Sequence, residues 1–304
     1  MYAVGILATG REWSDTLAGL AEASGSRVAG WINPLAVTPD DTCRLIDRSD
    51  LVWIPEKLNA GMDEAITVIR RSRHLSLGFP VSDFTDQAEC LVKLAHEARV
   101  QVQVGHAERH RPVFRSTLDW VSHPQHIRVK HHLPGFREKE DSYLIFNEIL
   151  ADLDLVLGLA GSPVRKVRTH ASFLESGRLF QIDTRTEFHN GSMISLAIRQ
   201  GIPEPLREIE IIQESGVIKV DLSGGTSQLS TLSEGAWIRH RIWPQNPDIP
   251  GNPADENGRN EETARQCISF IRTLEKNQPP LSSLEEGYSA LEITRQIAVS
   301  VGRF

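Results

Sequence analysis

Five short apolar runs organise the first 104 residues: Tyr2–Leu7, Arg27–Ile32, Leu51–Ile54, His74–Leu77 and Gln101–Val104. Asn33-Pro34 ends the second run, and Pro55 ends the third. Helical patterns are read over Glu12–Ala23, Asn59–Arg71 and Phe84–Ala98, the last with Thr85 as N-cap and Asp86 in its first turn. Strands that alternate with helices at this spacing form right-handed crossovers, and right-handed crossovers build a parallel sheet. The expected first domain is therefore α/β and Rossmann-like, over residues 1–108.

A dinucleotide site in such a sheet uses a G-x-G-x-x-G turn after the first strand. The first glycine allows the tight turn, the second lets backbone approach the pyrophosphate, and the third lets helix and strand pack closely. Those positions hold Ala8, Gly10 and Trp13, so only the middle glycine is present. The second strand should end on an acid that accepts bonds from ribose hydroxyls, and it ends on Asn33. The cofactor candidates are Ala8, Gly10, Asn33, Pro55 and Pro80, and the ligand they would take is NAD or NADP. The expectation is weak binding or none.

The rest of the chain, 109–304, reads differently. Phe146–Val164 is predicted as one long helix, with Ile149, Leu150, Leu153, Val156, Leu157 and Ala160 at helical spacing and Gly161-Ser162-Pro163 as its stop. Asp152 and Asp154 lie within it, and a carboxylate there must be solvated, paired or hydrogen-bonded. Alternating segments follow at Val164–Ser172, Leu179–Phe188, Ser192–Arg199, Glu208–Glu214 and Val217–Leu222, with hairpin signals at Asn190-Gly191 and Ser215-Gly216. These predict an α+β domain with an open, largely antiparallel sheet. Trp237–Gly258 reads as a long loop. Two helices close the chain, roughly Glu261–Lys276 and Leu284–Val301, with Ser283 capping the second. His131 and His132 are adjacent on a predicted strand, so they point to opposite faces and cannot share an ion; no metal site is expected.

A formal charge of −7 and a pI near 5.9 argue against nucleic acid as a partner, because phosphate backbones need a basic face. No apolar run reaches the ~20 residues that span a bilayer, so no membrane partner is expected and the expected location is cytoplasmic. Cys43, Cys90 and Cys267 have no metal-ligand spacing and read as reduced core thiols.

Val102–Phe114 and Phe146–Val164 together resemble the Gfo/Idh/MocA oxidoreductases, and within that family its sugar-nucleotide 3-dehydrogenases. Glu108, Arg109 and Pro112 match an E-R-F-N-P segment, while Asp152, Asp154, Leu155 and Gly161–Val164 match D-x-D-L and G-S-P-V. The resemblance implies an NAD(P)-dependent oxidoreductase acting on a sugar or sugar nucleotide. It implies a substrate cleft with Glu108, Arg109, His110 and Asp152, and a sheet face that pairs with a second copy or a related subunit. That face is expected to be largely apolar, from segments such as Met193–Ile198. The resemblance also places the family's proton-handling lysine, aspartate and histidine at Phe79, Asn147 and Ala151, none of which titrates usefully. Catalysis that loses such groups typically falls ~10²–10⁴-fold for each. Two readings follow: a catalytically degenerate member acting as a binding module or partner subunit, or an active, divergent enzyme in which His106, Arg109, His110 or Asp152 handles the proton.

Overall fold

All five residues of β1 (Ala3–Leu7) are buried, as expected of a strand covered on both faces. The computed structural model describes residues 2–21, 26–58, 62–105, 107–136, 141–243 and 256–302. They fall into two units, Met1–His110 with Ala254–Ser289, and Arg111–Pro253 with Ala290–Phe304.

In the first unit, β1 is followed by α1 (Glu12–Ala21), β2 (Arg27–Ile32), α2 (Pro39–Asp47), β3 (Leu51–Ile54), α3 (Asp63–Arg70), β4 (His74–Leu77), α4 (Ala88–Ala98), β5 (Val102–Gln103) and the short α5 (Ala107–His110). The sheet order is β2-β1-β3-β4-β5, parallel throughout. The Rossmann-like expectation holds in every pairing. Helix α2 was not anticipated, although Thr38-Pro39-Asp40-Asp41 is a start signal: the Thr38 hydroxyl accepts the Asp41 amide, with Pro39 in the first turn. Thr85 does not cap α4. It ends a 3₁₀ turn, Val81–Phe84, and α4 begins only at Ala88.

The second unit starts with α6 (Pro112–Arg115) and β6 (His126–Leu133). The predicted long helix is a composite: α7 (Asp141–Tyr143), a π-helical turn (Leu144–Ile149), α8 (Leu150–Leu157) and a 3₁₀ turn ending at Gly161, which is left-handed at φ 60°. Strands β7 (Val164–Phe173), β8 (Leu179–Phe188), β9 (Met193–Gln200), β10 (Leu206–Gln213), β11 (Gly216–Asp221), β12 (Thr226–Ser233) and β13 (Ala236–Trp243) follow. The sheet runs β13-β12-β11-β10-β6-β9-β8-β7, antiparallel except between β6 and β9. Strand β13 occupies the start of the predicted Trp237–Gly258 loop. Residues 244–255 of that loop lie outside the described residues.

The chain ends with α9 (Glu256–Glu275) and α10 (Leu284–Val301), and the Ser283 hydroxyl accepts the Glu286 amide at 3.1 Å as a cap. Helix α9 belongs with the first unit. Its Ala264, Cys267, Phe270 and Ile271 pack into one core with Val4, Ile6, Leu51 and Trp53. A division of the chain near residue 108 therefore omits this return, which is driven by burial of an apolar helix face on the parallel sheet.

Alternation along β9 puts Ile194, Leu196 and Ile198 inside, and Met193, Ser195, Ala197 and Arg199 outside. The outer face is charged rather than largely apolar: Arg128, Lys130, Arg168, Arg185, Glu187, Glu208 and Glu210 stand on it and form ion pairs. Strand alternation sends Ile194, Leu196 and Ile198 inward, which is why an apolar segment did not mean an apolar outer surface. Of the cysteines, only Cys267 is core; Cys90 is exposed, Cys43 is half-buried, and all are free. Among the described residues no helix is long and apolar enough to cross a membrane, and no group of His, Cys, Asp and Glu could hold a metal.

Candidate functional site

The carboxyl ends of parallel strands are where open α/β sheets bind ligands, so the turn after β1 comes first. Ala8 is fully buried and its amide is bonded to the Ile32 carbonyl. The next amide, Thr9 N–H, donates to Glu56 Oε1 at 2.8 Å, and the Thr9 hydroxyl donates to the same oxygen at 2.6 Å. Glu12, the first residue of α1, folds its carboxylate over Gly10, so that a Cβ on Gly10 would overlap it. Two carboxylates thus lie where a dinucleotide turn offers backbone donors and the positive end of a helix to a pyrophosphate. An anionic dinucleotide entering there would meet both carboxylates.

Trp13 takes no part in that obstruction. Its ring stacks edge-on against the buried Trp53, centroids 5.6 Å apart at 90°, and joins the core beside α9. Asn33 holds its own loop: its Oδ1 accepts the Leu35 amide at 3.0 Å and its Nδ2 donates to the Thr9 carbonyl at 3.4 Å.

The next two strand ends pack against each other. A Cβ on Gly78 would overlap the Pro55 carbonyl oxygen, and one on Gly105 would overlap the Gly78 carbonyl carbon. The Gly105 amide donates to the Phe79 carbonyl at 3.0 Å. Phe79 is buried, edge-to-face with Phe84 at 5.9 Å, and lines a small cavity with Ile54, Leu58, Met62, Ala65 and Glu64. Pro80 stands in extended backbone ahead of the 3₁₀ turn. Within that turn, the Asp83 carbonyl accepts from the Lys57 ammonium.

On α5, Arg109 is 5% exposed. Its Nη1 donates to the Leu281 carbonyl and to Glu286 Oε2, both at 2.5 Å. The arginine expected in a substrate cleft therefore ties α5 to the start of α10. Arg109→Ala should lower stability by about 1.5–3 kcal/mol, the scale of a hydrogen bond to a charged group, read as a lower urea midpoint at unchanged m-value. Its neighbours Glu108 and His110 are half-buried, and His106 lies outside the described residues.

In the second unit Asp152 is 1% exposed and faces the sheet. Its Oδ2 is 2.8 Å from His131 Nδ1 on β6, and its Oδ1 accepts from Arg207 Nε on β10 at 2.8 Å. Glu148 stands 4.0 Å from the other nitrogen of His131. Burial raises the Asp152 pKa, but the Arg207 charge and the His131 hydrogen bond outweigh it and hold the carboxyl below the usual range. Expected beside a substrate, this carboxylate is instead enclosed, with both oxygens bonded. Asp154 is buried as well. Asn147, on the π turn, donates to the Tyr143 carbonyl at 3.1 Å; Ala151 offers no polar group. His131 faces the core while His132 is half-exposed, so the two do point to opposite faces.

Sequence reasoning passed over Glu12, Glu56, Lys57 and Arg207. Glu56 carries a signal: it follows the strand-ending Pro55 at the ligand edge of a parallel sheet. Arg207 carries none, because its partner is 55 residues away.

No family model matches the chain. It is 22% identical over 263 residues to the UDP-N-acetylglucosamine 3-dehydrogenase of Acidithiobacillus ferrooxidans, covering 86% of this chain and 81% of that one. A solved structure of that enzyme superposes with a TM-score of 0.73 at 18% identity, over 99% of this chain and 98% of the other. A Sinorhizobium meliloti protein described as a myo-inositol dehydrogenase matches at 0.67 with 15% identity, over 99% and 98%. An Agrobacterium radiobacter oxidoreductase in complex with NAD⁺, L-tartaric acid and magnesium matches at 0.66 with 13% identity, over 99% and 96%. The chain is thus similar in sequence, along most of its length, to a sugar-nucleotide dehydrogenase, and it shares the two-sheet fold of these dehydrogenases.

Proposed function

We propose that this chain is a catalytically degenerate relative of the sugar-nucleotide dehydrogenases, serving as a binding module for a sugar or sugar nucleotide and as a subunit paired with its own copy or a related chain. The observation that carries this reading is the occupied turn after β1, where Glu56 takes the Thr9 amide and hydroxyl and the Glu12 carboxylate covers Gly10. A pyrophosphate entering there would meet two carboxylates and lose a backbone donor. Phe79, Asn147 and Ala151 support the same conclusion, since none can move a proton.

The expected outcome is that NADH and NADPH, titrated by nicotinamide fluorescence, bind the native protein no tighter than about 1 mM. Glu12→Gln with Glu56→Gln should improve that affinity about tenfold or more, equivalent to ~1.4 kcal/mol. Micromolar binding by the native protein, with turnover of a sugar nucleotide, would overturn the reading.

One observation favours a second reading, an active divergent NAD(P)-dependent oxidoreductase on a sugar or sugar nucleotide. Lys57 brings an ammonium from the loop after β3 to the 3₁₀ turn after β4, at the carbonyl four residues beyond Phe79. A cation at that edge could polarise a sugar hydroxyl where Phe79 cannot.

A further inference from the structure

A strand at the edge of a sheet presents a row of unpaired N–H and C=O groups, and natural edges are blunted by bulges, charge, proline or cover. The eight-stranded sheet of the second unit has two edges, β7 and β13. The pairing of β7 with β8 is bulged near both ends. Strand β13 has no such break over residues 236–241, which pair one-to-one with β12, contain no proline and are all exposed. No other described strand takes their free side.

The side chains of this edge lack partners within the chain. Trp237, Arg239 and Arg241 stand on one side of the strand, opposite Leu232, Ser230 and Gln228 of β12, and Ile238 points to the other side. Trp237 and Leu232 are each 60% exposed and Ile238 is 45% exposed. Strand β11 pairs with β12 only as far as Ser230, so the Leu232–Trp237 pair projects beyond it. A two-stranded ribbon by itself is marginally stable in water. Glu234 (φ 51°) and Gly235 (φ 82°) form the two-residue turn that closes this hairpin. Among the described residues, Trp237, Arg239, Arg241 and Glu234 make no ion pair, side-chain hydrogen bond or ring contact. Cations on the sheet's outer face differ: Arg128, Lys130 and Arg168 are all ion-paired.

We propose that this edge docks the same edge of a second copy, the two β13 strands running antiparallel about a two-fold axis at Ile238. The inference rests on the pairing of the chain with its own copy proposed above, and it locates that contact at the edge of the sheet. A two-fold axis normal to the sheet sets one residue opposite its own image, and charge selects which. Centred on Arg239, the register would oppose two guanidiniums. Centred on Trp237, it would leave Arg239 facing Gly235 and Arg241 facing Ser233. Centred on Ile238, it opposes the two Ile238 side chains on one face of the joined sheet. On the other face Arg239 of each copy lies opposite Trp237 of the other, a cross-strand cation–π pair made twice. Arg241 lies opposite Gly235 of the other copy, next to its unpaired Glu234. Each group without a partner inside the chain thus gains a complementary one across the axis.

The test is sedimentation equilibrium of the full chain at micromolar concentration, joined to cross-linking. Self-association is expected. Arg241→Glu, which sets carboxylates against Glu234 of the other copy, should lower the association constant about tenfold or more, and Glu234→Arg added to it should restore the constant. All these positions are exposed, so the fold should be unchanged by circular dichroism. In a Cys90→Ser background, Ile238→Cys should form a covalent dimer with oxidised glutathione. Directly opposed residues of antiparallel strands have Cα atoms ~4.5–5.5 Å apart, within disulfide reach. Trp237→Cys should not, because its two images lie on the diagonal, ~7–8 Å apart. A monomer at micromolar concentration would overturn both this inference and the pairing of the chain with its own copy. Self-association that ignores Arg241→Glu, or that leaves Ile238→Cys uncross-linked, would overturn the edge contact alone.

Discussion

Asp152→Ala is expected to lower folding stability by about 3–5 kcal/mol, the cost of removing one partner from a buried ion pair. The carboxylate is enclosed and bonded to Arg207 and His131, so alanine leaves a guanidinium and an imidazole facing the core without their acceptor. Asp152→Asn retains the shape and should cost less, about 1–3 kcal/mol, as one hydrogen-bond acceptor becomes a donor. Equilibrium urea unfolding of the three proteins measures both. The pH dependence follows from the lowered pKa. The group's stabilising contribution is fully present above its unfolded-state value near ~3.9 and is lost as pH falls through the lower folded value. Native protein should therefore lose stability on acidification below about pH 4, and Asp152→Asn should lack that component. A normally stable Asp152→Ala protein would mean that the carboxylate does not hold β6, β10 and α8 together.

Gly78→Glu should destabilise the first unit by about 3 kcal/mol or more, at the upper end for overpacking. A Cβ at Gly78 overlaps the Pro55 carbonyl oxygen and lies 2.6 Å from Thr263 Cγ2. The oxygen is backbone and cannot rotate away as a side chain would. Gly105→Ala should behave similarly, because its Cβ would meet the carbonyl carbon of Gly78. Phe79→Lys would remove the ring packed on Phe84 and leave a poorly filled site beside Ile54 and Met62, where Glu64 is the one carboxylate of the lining. Gly78→Glu with Phe79→Lys is thus expected to yield a less stable protein with no gain in activity. The readouts are soluble yield, urea midpoint and dehydrogenase rate. A Gly78→Glu protein as stable as the native one would show that the β3 and β4 loops separate easily.

Asp152 and Phe79 were legible as motif positions, yet their surroundings were not. Asp152 fitted a family pattern and was expected beside a substrate. The same side chain serves the interior because the helix face it occupies turns toward β6 and β10. Arg109 behaves likewise: one residue type in a matching motif, but a guanidinium bonded to the chain 172 and 177 residues away. Trp13 was read as the obstacle in the cofactor turn. Its ring found space on Trp53, and the side chains that lie over the turn are two glutamates that no spacing rule singles out.

Local chemistry by itself determined the parallel strands of the first unit, the hairpins of the second, the left-handed stop at Gly161 and the cap at Ser283. Each is governed by residues within one turn or one strand of each other: apolar runs bounded by Pro, Asn-Gly pairs, a glycine free to adopt positive φ, a hydroxyl beside unpaired amides. Tertiary structure alone decided the return of α9 to the first sheet, the π turn at Leu144–Ile149, the pairing of Glu56 with Thr9 and the burial of Asp152 on His131 and Arg207. Those depend on which distant surface fills a given volume and which distant charge satisfies a buried one. Pairings across tens to hundreds of residues leave no periodic trace in the chain, because their energy comes from desolvation and contact that exist only once the sheets have formed.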